Sequence, residues 1–153
     1  MTPEQRLAQL GLTLPEPSTP VANYVAYRWA DNLLYLSGQG PKLPDGTYRK
    51  GRLGRDASVE DGYAEARLTG LQLLAVARSA IGELSRVESV VKLLGMVNAE
   101  PEFADHPKVI NGCSDLLVEV LGDAGRHARS AIGVGSLPNR MMVEIEAILL
   151  VRR

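Results

Sequence analysis

One cysteine, Cys113, stands among the 153 residues, so an internal disulfide is excluded and no thiolate pair is available to a structural metal. Histidine is nearly as scarce. His106 and His127 lie far apart with no ligand spacing, which speaks against a metal site. There is no excess of either charge, the formal net charge being −1. A broad nucleic-acid surface is therefore not expected, because phosphate binding draws on clustered Lys and Arg. The one basic cluster is Arg49, Lys50, Arg52 and Arg55; among Gly51 and Gly54 it reads as a solvated loop, with an anion site as the other reading. No apolar run approaches the roughly 20 residues that span a bilayer. The N-terminus has no basic start followed by an apolar stretch, so no secretory signal is expected and the expected location is the cytoplasm.

What is present suits one domain over residues 1–153, long enough to bury a core without staples. Residues 3–10 suggest a short helix with Leu7 and Leu10 on one face, and Pro15, Pro17 and Pro20 then enforce an extended lead-in. Tyr24–Trp29 and Leu33–Ser37 are strand-like runs about an Asp31-Asn32 turn, which makes a hairpin. Pro41–Arg55 is a loop, with a short strand expected around Thr47–Arg49. Ser58 followed by Glu60 and Asp61 opens a helix, and the spacing of Ala64, Leu68, Leu71, Ala75 and Val76 carries it to about Ile81, where Gly82 ends it. Ser89–Val97 reads as a strand. Asp105 and Pro107 open a second helix with Val109, Cys113, Leu116, Leu117 and Val120 on one stripe, closed by Gly122. Ser130–Val134 and Met141–Val151 are strands. The second has Val143, Ile145, Ala147, Leu149 and Val151 on one face, and Met142, Glu144, Glu146, Ile148 and Leu150 on the other.

The order β-β-α-β-α-β-β gives an α+β fold with two helices covering one face of a single sheet. The other face then carries Met142, Ile148 and Leu150, a patch that a monomer would leave open, so an oligomer is expected.

Few residues stand out for chemistry. Glu144 and Glu146 share a strand face with apolar neighbours; such carboxylates end in solvent or a salt bridge, or serve catalysis. Arg129 at a strand start is either a surface residue or a bidentate grip for a small carboxylate. Ser37-Gly38-Gln39-Gly40 ends a strand with glycines that can offer N–H groups to a ligand. Cys113 on the apolar stripe reads as an inert buried thiol. His127, near Arg126 and Arg129, is favoured neutral, and His106, near a helix start, reads as structural or exposed rather than catalytic. Trp29 and Tyr35 read as packing residues of the hairpin.

Taken together, Ala128-Arg129-Ser130, Leu137-Pro138 and Val143-Glu144-Ile145-Glu146-Ala147 are similar to the C-terminal signature of the YjgF/RidA family. Val151-Arg152-Arg153 also fits it. Tyr24, a hairpin and Ser37-Gly38-Gln39 resemble its N-terminal motif, and Asn111 resembles a family asparagine. These motifs bracket residues 24–153.

The resemblance implies a chorismate-mutase-like fold, a homotrimer whose sheets pack into a central barrel, and three ligand clefts between subunits. It implies hydrolytic deamination of reactive 2-imino acids or enamines of the 2-aminoacrylate type to 2-keto acids and ammonia, with neither cofactor nor metal. Arg129 would hold the substrate carboxylate and Glu144 would position or activate water. Tyr24, Ser37 and Gly38 would line the cleft with Ala131, and Asn111 would assist. The expected partner is a small molecule bearing a carboxylate, with neither nucleic acid nor membrane. Residues 1–20 form an extension and the Pro41–Arg55 loop is longer than in better-known members. Ala131 stands where many relatives have cysteine, which suits a larger or different ligand. The alternatives are a carboxylate-binding regulatory trimer, a hydrolase of a specialised catabolic intermediate, and a ribonuclease, the last a poor match to the charge.

Overall fold

The hairpin forms where the sequence places strand formers about a polar turn. In a computed structural model that describes residues 1–153, β1 (Tyr27–Ala30) pairs antiparallel with β2 (Leu33–Gln39) across Asp31-Asn32. Asp31 takes φ 51°, a left-handed conformation that Asp tolerates better than most residues. Three further strands, β3 (Val87–Asn98), β4 (Ala128–Val134) and β5 (Val143–Val151), complete one sheet in the order β1-β2-β5-β3-β4. All pairs are antiparallel except β3 with β4, which are joined by a helical crossover.

Three helices accompany the sheet: α1 (Pro3–Gln9), α2 (Val59–Ile81) and α3 (His106–Leu121). Ser58 caps α2 in a reciprocal capping box with Asp61, and Gly82 stops it at φ 85°. Gly122 closes α3 at φ 66°. Asp105 stands at the α3 N-cap, but its side chain makes no capping bond. α1 docks on the bundle through Leu7, which is buried, through Arg6 Nη1 donating to Val120 O at 3.2 Å, and through Glu4 Oε1 accepting from Leu84 N at 2.8 Å.

The alternation in β5 sorts as its periodicity predicts. Val143, Ile145, Ala147, Leu149 and Val151 are buried beneath the helices, together with Leu34, Leu36, Leu93 and Val97. On the opposite face Glu144, Ile148 and Leu150 are half-buried, and Tyr35, Val91 and Ile132 are exposed.

Three expectations need correction. Met142 precedes the strand and is buried in the core, where its Cε packs over Gly51, so it is not part of the open face. No strand forms at Thr47–Arg49; the nearest pairing is an isolated bridge between Lys50 and Met141. Tyr35 is exposed on the open face rather than packed within the hairpin. The long loop is tied down instead by side chains. Buried Asn98 donates Nδ2 to Gly51 O and Met141 O and accepts from Arg52 Nη1 at 2.9 Å. Arg49 pairs with buried Glu65 at 2.8 Å, and Glu100 takes Arg52 and Arg55 at 3.2 and 2.7 Å. Three of the four basic residues in that loop thus serve its own anchorage.

Candidate functional site

Strand register decides which candidate residues can meet. Arg129 on β4 stands opposite Leu93, and Leu93 opposite Ala147, both buried under the helices. Glu144 stands opposite Met96, three residues along β3 from Leu93 and therefore on the other face. The arginine and the glutamate are thus separated by the sheet within the chain.

The arginine half is built by β4 and α3. Arg129 Nη1 donates to Ser114 Oγ at 2.9 Å and Nη2 to Pro107 O at 3.3 Å. Asn111 lies between these partners on the same helical stripe, four residues after Pro107 and three before Ser114, half-buried. Ala131 and Gly133 follow Arg129 on the same strand face. A Cβ at Gly133 would stand 2.6 Å from His106 Nε2, so the absence of a side chain there lets β4 approach the start of α3. His106 also meets Phe103 edge-to-face at 5.1 Å, the structural role its position suggests. His127 is tied to this half through Ser114 Oγ at 2.8 Å and Gly125 O at 2.6 Å. Burial first, and Arg129 second, hold its pKa below the ordinary 6.5. Cys113 is fully buried and its thiol is pushed up to about 12, chiefly by burial. Sequence reasoning had not singled out Ser114.

The glutamate half is built by β2, β5 and the segments flanking the hairpin. A register shift between Leu36 and Gln39 turns the end of β2, and there Gly38 faces Glu144: a Cβ would come 2.5 Å from Glu144 Oε2. Ser37 Oγ donates to Val25 O at 2.6 Å and fixes the stretch that carries Tyr24. Tyr24 and Ser37 line a cavity of 590 Å³ on the open face, with Tyr35, Lys92, Glu146 and Ile148 among its other walls. Glu144 is half-buried, and burial, then the neighbouring Glu146 charge, raise its pKa above the usual carboxylate value.

One further residue joins this half. Tyr48, in the Pro41–Arg55 loop, comes close to Gly40, where a Cβ would stand 3.3 Å from its ring. Burial and then the charges of Tyr24 and Glu144 raise its phenol pKa. The sequence signal was weak: a tyrosine soon after a glycine-rich strand end, in a loop without periodicity.

The seven candidates therefore fall into two sets. Arg129, Asn111 and Ala131 lie on one side, and Tyr24, Ser37, Gly38 and Glu144 on the other. No group of three or more His, Cys, Asp or Glu side chains gathers in a metal-binding arrangement anywhere in the chain. No helix is long and apolar enough to cross a membrane.

A family model described as YjgF/chorismate mutase-like, with an endoribonuclease label, matches residues 4–148. Protein TCP17 of Trypanosoma cruzi is 42% identical over 144 residues, 94% of this chain and 90% of that protein. Among solved structures, protein Atu1372 of Agrobacterium tumefaciens is 43% identical with a TM-score of 0.90, covering 99% of this chain and 94% of the other. A Shewanella oneidensis protein with an endoribonuclease label is 38% identical with a TM-score of 0.94, covering 99% and 100%.

Proposed function

The chain belongs to the YjgF/RidA family, and from that premise we propose that it hydrolyses 2-imino acids, or their enamine tautomers of the 2-aminoacrylate type, to 2-keto acids and ammonia. In this reading the whole chain works as one unit, with residues 1–20 as an extension, in a homotrimer whose clefts lie between subunits. One subunit supplies Arg129, Asn111 and Ala131, and its neighbour supplies Tyr24, Ser37, Gly38, Tyr48 and Glu144. The observation that carries the reading is Glu144. It is a half-buried carboxylate with a raised pKa, held against a glycine whose missing side chain makes room for it. Its placement across the sheet from Arg129 supports a two-subunit site, because no single subunit brings the two together.

The chemistry asks little of the protein. An imine carbon is already electrophilic, so a held carboxylate and a directed water are enough. Arg129 grips the substrate carboxylate through its planar guanidinium. Glu144 accepts a proton from water as the oxygen attacks the imine carbon and returns it to the nitrogen, giving a carbinolamine. The carbinolamine hydroxyl proton then passes to nitrogen by way of the same carboxylate, the C–N bond breaks, and ammonia leaves the 2-keto acid. Water adds, ammonia leaves, and no electrons are exchanged. Ribonuclease action fits poorly: the net charge is −1, and both histidines are engaged in structural contacts rather than paired across a cleft.

The test generates 2-iminopropanoate in situ with an amino-acid oxidase and traps survivors with semicarbazide. Wild type is expected to shorten imine lifetime, and Arg129→Ala to lose most of that effect through KM, as removal of a charge-assisted grip predicts. Full acceleration by Arg129→Ala would overturn the assignment, and no acceleration by folded wild type would remove the activity itself.

A further inference from the structure

Hydrogen-bond polarity around Arg129 leaves a single arrangement of protons. A guanidinium only donates, so Ser114 Oγ accepts from Arg129 Nη1 at 2.9 Å. The Ser114 hydroxyl proton must then go elsewhere, and the acceptor at 2.8 Å is His127 Nε2. Gly125 O, 2.6 Å from Nδ1, can only accept, so the neutral ring carries its proton on Nδ1 and leaves Nε2 bare to take the Ser114 hydroxyl proton. The line runs from Arg129 through Ser114 and His127 to a backbone carbonyl, each atom filled once. Gly125 is itself rigidly placed, because a Cβ there would collide with the Leu117 carbonyl of α3.

We propose that Ser114 and His127 are positioning residues for Arg129, a hydroxyl–imidazole line that holds the guanidinium in the pose that receives the substrate carboxylate. The proposal rests on the imino-acid reading above and deepens it. Nη1 is committed to Ser114 and Nη2 in part to Pro107 O, so the guanidinium plane is fixed against α3 before ligand arrives. Pre-setting a long side chain in this way removes part of the ordering cost from binding.

The line changes when His127 takes a second proton. Nε2 would then donate, the Ser114 hydroxyl would turn its own proton away and accept from both donors, and a second positive charge would stand near Arg129, repelling the guanidinium from its pose. The titratable and charged groups around the ring are few. Arg129 follows two residues on, in β4, and the un-ionised Cys113 thiol neighbours Ser114 on α3. Arg126 is exposed and pairs with Asp123 at 3.5 Å, and Asp115 on α3 is taken by Tyr63 Oη at 2.7 Å. Burial disfavours the imidazolium, so the neutral line persists to lower pH than an ordinary histidine would allow.

The experiment compares wild type, Ser114→Ala, Ser114→Thr and His127→Phe in the imine assay, in calorimetric binding of pyruvate, and in a pH profile. Ser114→Ala is expected to raise KM and the pyruvate Kd about tenfold with kcat nearly unchanged, the loss of one hydrogen bond to a charged group. Ser114→Thr, which keeps the hydroxyl, restores both. In wild type the affinity falls as pH drops through the His127 titration, and in His127→Phe that acid limb disappears. Unchanged KM and Kd in a folded Ser114→Ala would overturn the proposal. If wild type neither binds pyruvate nor hydrolyses imines, the imino-acid reading fails alone, and ring-nitrogen NMR still decides the line. A fixed Nδ1–H tautomer in wild type that becomes mixed in Ser114→Ala upholds it, and a tautomer indifferent to Ser114 sinks it.

Discussion

Gly38 is required by space rather than by backbone freedom. Its φ lies outside the left-handed region, and a methyl group there would stand 2.5 Å from Glu144 Oε2. The obstructed atom is the end of a flexible side chain, so the carboxylate yields instead of the fold. Gly38→Ala should therefore leave stability within about 1 kcal/mol of wild type while lowering kcat/KM about a hundredfold, the lower range for misplacing a general base. Thermal melts beside the imine assay check this; full activity would mean that the position of Glu144 is immaterial. The same carboxylate sets a pH limb. Its pKa is raised above 4.5 by burial and by Glu146, and a base works ionised, so kcat/KM should climb through a value above 4.5 and then level, with Glu144→Gln lacking the limb. The linkage has the matching sign. The fold prefers the protonated form, so the stability Glu144 contributes is full below 4.5 and is lost as pH rises through its folded value. Of the residues in this half, Glu144 was legible because it interrupts an alternating strand. Tyr48 was not, because its approach to the site comes from anchors distant in sequence: Asn98 holding Gly51, and Glu65 holding Arg49.

At the scale of elements, two helical glycines show how α2 and α3 come close enough to cover the sheet as one layer. A Cβ at Gly112 would run into the Tyr63 carbonyl and come 3.1 Å from Arg67 N, both backbone of α2. At Gly70 it would meet the Leu116 and Cys113 side chains at 2.8 and 3.3 Å. Ala in place of Gly gains about 1 kcal/mol of helix propensity. Against movable side chains that gain offsets a packing cost of about 1 kcal/mol, so Gly70→Ala should melt close to wild type. Against backbone it does not, and Gly112→Ala should lose about 3 kcal/mol or fail to fold. A Gly112→Ala variant with a wild-type melting temperature would show that the helices can part without cost. These elements were legible because their signals are local: the Ser58 and Asp61 capping box, the Gly82 and Gly122 stops, and the period-2 burial of β5. The strand expected at Thr47–Arg49 does not form because its residues are engaged otherwise: Thr47 donates to Asp45 in a local turn and Arg49 pairs with Glu65 of α2. Met142 was misplaced for a related reason, since β5 begins one residue later and the chain before it turns into the core.

At the scale of the molecule, one face of the sheet lies under helices and the other carries half-buried Leu94, Met96, Ile148 and Leu150 with exposed Tyr35 and Ile132. An apolar face of this kind suits packing against further copies. Together with the separation of Arg129 and Glu144 across the sheet, it yields a prediction that neither residue yields alone. Arg129→Ala and Glu144→Gln should each be nearly inactive as pure proteins. Unfolded together in equal amounts and refolded, they should form mixed trimers. A cleft drawing its arginine from one subunit and its glutamate from the next is then intact with a probability of about one half for each partner, so about a quarter of wild-type activity should return. Light scattering fixes the oligomeric state, and mixing without unfolding serves as the control, since the proposed trimers would then keep their own subunits. Recovery near a quarter would establish a shared cleft. Activity no greater than the two pure variants, in verified mixed trimers, would mean that each subunit carries its own site, and the division of labour between β4 and β5 would have to be redrawn.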